Sequence, residues 1–156
     1  MRYISAKDTA ALIRKDLKAD FPGIKFSVRT NTYSGGASID VEWTDGPALS
    51  TVEAITNPYQ GKAPVDQTDH AATVTGDFDG EAVHYLADHV FARRQISEDT
   101  KEALVAELAA ALNVSAVETG KSYPTPELVY TACPNYRYDQ GTAYEFINAI
   151  SEARAA

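Results

Sequence analysis

Ala10, Ile13 and Leu17 recur at helical spacing behind Ser5-Ala-Lys-Asp8, which has the form of a capping box with Asp in the place of Glu, and together they predict a helix over 6–20. Phe21-Pro22-Gly23 stops it, because proline cannot continue helical bonding and glycine takes the left-handed cap conformation. Ile24, Phe26 and Val28 then alternate with Lys25, Ser27 and Arg29, the period of a half-buried strand near 24–30. After a turn at 31–36, Ala37, Ile39, Val41 and Trp43 alternate with Ser38, Asp40, Glu42 and Thr44, so a second strand over 37–44 should pair antiparallel with the first. Asp45-Gly46-Pro47 closes the hairpin, and Ser50 with Glu53 caps a short helix near 51–57.

The pattern fades over 58–80, where Pro58, Gly61, Pro64, Gly76 and Gly80 among polar residues predict a long surface excursion. Val83, Tyr85, Ala87, His89 and Phe91 alternate through 82–92 and predict a third strand, with helix as the competing reading. Ser97 caps a helix over 98–112 whose stripe is Leu104, Val105, Leu108, Ala111 and Leu112, with Glu98 and Asp99 at its positive end. Residues 113–141 form a proline- and tyrosine-rich connection with a short strand at Leu128–Thr131, and a last helix near 142–153 uses Thr142 and Glu145 as a capping box and buries Tyr144, Ile147 and Ile150. These elements predict an α+β fold in which a short antiparallel sheet packs against helices 6–20, 98–112 and 142–153. At 156 residues a single domain spanning 1–156 is the expectation.

Composition changes this picture in two ways. No apolar run approaches the roughly 18 residues that a membrane span requires, and Asp8, Arg14, Lys15 and Asp16 break up any leader-like stretch, so a cytoplasmic location is expected. The net charge of −8 is uneven: residues 1–47 carry seven Lys or Arg against six Asp or Glu, and the remainder seven against sixteen. Asp66, Asp69, Asp77, Asp79, Glu81, Asp88, Glu98 and Asp99 crowd one span in which only Arg93 and Arg94 are positive. Such a surface repels a phosphate backbone and disfavours direct nucleic acid binding.

Candidate chemistry is sparse. His84 and His89 lie five apart, which shares neither a helix face nor a strand side, and a third ligand such as His70 or Asp88 would be needed for a metal. Cys133 stands alone, so no internal disulfide forms, and a nucleophilic thiolate would need a base brought to it by the fold. Asp77-Phe-Asp-Gly80 stops short of a calcium loop and reads as a turn. Tyr33-Ser-Gly-Gly36 leads into a strand rather than a helix, so it reads as a hairpin turn and not a phosphate cradle. No catalytic residue, cofactor or metal is therefore expected. Tyr123, Tyr130, Tyr136 and Tyr138 either contact a partner or cover the core.

Tyr3-Ile-Ser-Ala-Lys-Asp-Thr-Ala10, Phe21-Pro-Gly-Ile-Lys-Phe-Ser-Val-Arg29, Tyr33 to Pro47 and Ala87-Asp-His-Val-Phe-Ala-Arg-Arg-Gln-Ile-Ser97 together resemble the large polyvalent protein-associated domains over roughly residues 3–97. The resemblance implies a protein of phages, plasmids or conjugative elements, and it carries over no catalytic residue. It leads to the expectation of a non-catalytic protein that binds and inhibits a host defence component, in the manner of an anti-CRISPR or anti-restriction factor. Asp66, Asp69, Asp77, Asp79 and Glu81, by imitating phosphates, and Tyr123, Tyr130, Tyr136 and Tyr138 are the candidate contact residues. Two alternatives stand beside it. One is a nucleic acid accessory module using Lys7, Arg14, Lys15, Lys18, Lys25 and Arg29, and the other is an enzyme acting on a nucleotide or protein through Cys133, His84, His89 or the acidic loop.

Overall fold

The structure, a computed structural model, describes residues 1–64, 71–118 and 120–156. Contacts gather into two units, Met1–Trp43 with Leu49–Arg94 and Thr44–Ala48 with Gln95–Ala156. The α+β class is borne out, and each unit has a core of its own.

In the first unit Ser5 caps helix α1 (Ala6–Asp20), its Oγ accepting the Asp8 N–H at 3.1 Å. Ala6, Ala10, Ile13 and Leu17 line one face and are buried. Phe21 ends the helix by donating its N–H to Leu17 O. Strands β2 (Ser27–Tyr33) and β3 (Gly36–Thr44) pair antiparallel from Ser27↔Glu42 to Tyr33↔Gly36, leaving Ser34 and Gly35 as a two-residue turn with Gly35 at φ 90°. β2 starts three residues later than the 24–30 expected and runs three residues further, because Asn31, Thr32 and Tyr33 pair through the backbone without burying their side chains. Ile39, Val41 and Trp43 enter the core with Ile13, Leu17 and Val52, the last from helix α2 (Leu49–Thr56).

The strand expected at 82–92 divides. The chain breaks at Leu86, which is 49% exposed, and its two halves join different sheets as β7 (Glu81–Tyr85) and β8 (His89–Gln95). β8 lies beside β3, where Asp88 N–H donates to Ala37 O at one end and Asp45 N–H to Gln95 O at the other. Both bonds advance in the same chain sense, so this pair is parallel and the sheet is mixed. β7 is the centre of another sheet, pairing parallel with β1 (Arg2–Ile4) and antiparallel with β6 (Gly76–Phe78). A two-strand ladder joins β4 (Lys62–Pro64) to β5 (Ala71–Thr73). The excursion expected over 58–80 therefore contains paired strands, each three residues long and too short to show a period.

In the second unit Ser97 caps helix α3 (Glu98–Leu112), and Asn113 at φ 54° closes it in the left-handed conformation. Strands β9 (Ser122–Pro124) and β10 (Gln140–Thr142) pair antiparallel. The strand expected at Leu128–Thr131 is instead helix α4 (Glu127–Ala132), entered from Pro126 at its N-cap. Val129 and Thr131 carry β-branched side chains, but six residues after proline with one buried position make a turn and a half of helix. In helix α5 (Ala143–Ala155) the buried stripe is Ala143, Phe146, Ile147 and Ile150, a spacing of three, four and seven. Tyr144 falls one residue out of that phase and is 71% exposed, contrary to its expected burial. Leu104 and Leu108 of α3 share this core with Val129 and the α5 stripe, and Arg154 closes a bidentate pair on Glu107 at 2.8 and 3.0 Å.

The capping box at Thr142 is borne out on both sides: its Oγ1 accepts the Glu145 N–H at 3.3 Å, and its own N–H donates to Glu145 at 2.7 Å. The Thr142 N–H, and then the Thr142 hydroxyl donating to the same carboxylate at 2.9 Å, hold the Glu145 carboxyl below its ordinary range. The carboxylate half of the box therefore contributes fully above the ordinary glutamate range and is lost as pH falls through the lowered native value. Thr142→Ala should destabilise the protein by about 1 kcal/mol, read from the urea midpoint at neutral pH.

Candidate functional site

The acidic candidates occupy a hairpin. Asp79 at φ 55° and Gly80 at φ 78° form a two-residue turn between Phe78 and Glu81, the Asp-Gly arrangement that matches strand twist. Asp77 Oδ1 accepts the Gly80 N–H at 3.1 Å, so one carboxylate builds the turn that Asp77-Phe-Asp-Gly80 was expected to make. Asp77, Asp79 and Glu81 are exposed, but Glu81 lies 3.6 Å from Arg2, whose guanidinium also sits over the Phe78 ring. The hairpin thus presents acids with a cation beside them. Asp66, Asp69 and His70 lie outside the described residues.

The tyrosines separate into two groups. Tyr123 is buried, its hydroxyl accepting the Glu118 N–H at 2.8 Å. Tyr130, Tyr136 and Tyr138 come together, Tyr136 standing edge-on to Tyr130 and Tyr138 with ring centroids 6.3 and 5.6 Å away, and to the buried Phe146 at 6.1 Å. Tyr138 is held by its backbone, since its carbonyl accepts the Thr125 hydroxyl at 2.7 Å and the Tyr130 hydroxyl at 3.1 Å, while the residue is 70% exposed. Tyr136, Tyr138, Tyr144 and Asn148 line a groove of about 370 Å³. Tyr144 was missing from the expected contact set because the helical pattern assigned it to the core.

The remaining candidates have local occupations. His84 and His89 lie on different strands, His84 bonded through Nδ1 to Val74 O at 3.0 Å and His89 beside Phe91. No group of three or more metal-ligating side chains is found among the described residues. The Cys133 thiol donates to Ala149 O at 3.2 Å, and burial pushes its pKa up, away from the thiolate that a nucleophile needs. Arg14, one of the basic candidates, donates to Val28 O at 2.6 Å.

Sequence reasoning missed a cleft of about 420 Å³ in the first unit. Asp88, its side chain 15% exposed, accepts the Tyr33 hydroxyl at 2.9 Å and pairs with Lys62 at 3.0 Å. A Cβ on Gly36 would fall on the Asp88 carboxylate, and one on Gly61 would fall on Tyr85 O. The second glycine of Tyr33-Ser-Gly-Gly36 therefore makes room for a carboxylate as well as following a turn. Tyr3 and His84, register partners on β1 and β7, stack with centroids 5.6 Å apart at the cleft wall. The signal for this site was the pair of resembling segments, one holding Tyr33 and Gly36 and the other Asp88.

Among the described residues, no helix is long and apolar enough to cross a membrane. The model of large polyvalent protein associated domain 29 matches residues 4–97, which bears out the resemblance read over 3–97. The match takes in Gly36, Gly61, Lys62, His84 and Asp88 of the cleft and stops short of the tyrosine groove. No curated protein and no solved structure matches the chain.

Proposed function

Because the chain belongs to the large polyvalent protein associated domain family of phages and mobile elements, we propose that it acts without catalysis, binding and inhibiting a host defence protein in the cytoplasm. The observation that carries this reading is the tyrosine groove, where Tyr138 and Tyr144 stand 70% and 71% exposed over a buried aromatic base. Large exposed aromatics are enriched at the energetic centres of protein interfaces, because they bury much area at little entropic cost. Asp77, Asp79 and Glu81 supply charge that accelerates encounter with a basic partner, and their likeness to phosphates would suit a nucleic-acid-binding surface. For the nucleic acid alternative, Arg14 gives one donor to Val28 O while Lys7, Lys15, Lys18, Lys25 and Arg29 are exposed.

The test is capture from host lysate with the full chain as bait and with the Tyr138→Ser, Tyr144→Ser double variant. A defence protein retained by the first and released by the second is the expected outcome, with affinity falling roughly 30-fold or more for two central aromatics. Charge reversal at Asp77, Asp79 and Glu81 should slow association and flatten its salt dependence while leaving the dissociation rate nearly unchanged. Recovery of no defence protein, or equal capture by both baits, would reject the reading.

A further inference from the structure

We propose that the cleft of the first unit binds a nucleobase, stacked on the Tyr3–His84 pair and read at its edge by Asp88 and Lys62. Tyr3 stacks on His84 with ring planes 26° apart, and Tyr3 as a residue is 64% exposed, so the pair presents accessible aromatic surface at the cleft wall. Bases stack on such platforms because every base has a π-face. The volume, about 420 Å³, falls within the range of small-ligand pockets.

The polar groups fit a flat ring with mixed edges better than they fit a bare ion. Lys62 and Asp88 lie 3.0 Å apart, so the cleft offers a donor and an acceptor side by side with no net charge between them. Every nucleobase carries an N–H donor next to a ring nitrogen or carbonyl acceptor, and carboxylates and lysines are established readers of those two kinds of atom. His84 adds a third group: Val74 O can only accept, so Nδ1 carries the proton in the neutral ring and Nε2 is left as an acceptor. Gly36 and Gly61 keep side chains off the cleft lining, where a Cβ would strike Asp88 or the Tyr85 carbonyl. None of these residues lines the tyrosine groove, so the two sites can be tested separately.

The ring could come from a free nucleotide or from a single strand, and the experiment separates these sources. The full chain, labelled with nitrogen-15, is titrated with GMP, AMP, CMP and UMP, then with a single-stranded homo-oligonucleotide of the best-bound base. At least one mononucleotide should shift the amide signals of β1, β7 and Gly61–Lys62. Tyr3→Ala, on an exposed side chain, and Lys62→Ala, which removes the partner of Asp88, should each weaken binding roughly tenfold, and Tyr3→Phe should restore the first. Stronger binding of the oligonucleotide assigns the ring to a strand, and equal or weaker binding assigns it to a free nucleotide. No shift with any of the four nucleotides, or an affinity that Tyr3→Ala leaves unchanged, would overturn the proposal.

Discussion

Phe146→Ala should lower stability by about 3–5 kcal/mol, the largest effect expected of any single truncation in the second unit. The ring is fully buried, touches Tyr136 edge-on, and lies so close to Gly141 that a Cβ there would meet it at 2.7 Å. Removing it deletes apolar burial and leaves a cavity that rigid neighbours cannot fill. Against the roughly 5–15 kcal/mol that holds a typical domain together, such a loss approaches unfolding. Urea denaturation measures it, with the midpoint falling while the slope holds. Loss of amide exchange protection should centre on α3, α4 and α5, whose side chains share this core. A loss under about 1 kcal/mol would mean that the core repacks around the gap. Because Tyr136 rests on this ring, the variant should also weaken binding at the groove.

Gly61→Ala should cost about 2–4 kcal/mol, from overpacking together with a disturbed backbone bond. The obstacle is main chain: the new methyl would strike Tyr85 O and approach Ala87 O at 3.1 Å. Gly61 N–H also donates to Ala87 O at 2.7 Å, and Gly61 O accepts the Val74 N–H at 2.9 Å, so moving the residue loosens both neighbours. Gly36→Ala makes an informative contrast. There the methyl meets the Asp88 carboxylate and, at 2.8 Å, the Tyr33 ring, both of them side chains that can turn, so stability should fall less while the Tyr33 and Lys62 contacts to Asp88 are lost. Thermal unfolding ranks the two, and equal losses would show that the carboxylate is as immovable as backbone.

Elements with a long period and a cap were legible in the sequence. α1, α3 and α5 announce themselves through Ser5, Ser97 and Thr142 followed by apolar residues at three- and four-residue spacing. β3 does so through the alternation from Ala37 to Trp43. What escaped was short or non-local. β1, β4, β5 and β6 have three residues apiece, and their pairing energy comes from partners that the local pattern does not name. α4 was hidden by its β-branched residues, since at six residues tertiary contacts outweigh propensity. The tyrosine candidates were legible as a group, although only the geometry separates the buried Tyr123 from the exposed Tyr138 and adds Tyr144. The cleft escaped the local pattern because Tyr3, Gly36, Lys62 and the His84–Asp88 stretch are gathered from four places along the chain.

The parallel pairing of β1 with β7 imposes a schedule on synthesis. Tyr3 cannot meet His84 until about eighty further residues have left the ribosome, a wait of roughly 4–16 s at ordinary elongation rates. During that interval β1 has no sheet to join, and Ile4, later buried with Val83 and Tyr85, has no core to enter. Closure of this ladder is thus among the late events in the maturation of the first unit, and the stacking of Tyr3 on His84 is a natural spectroscopic clock for its completion.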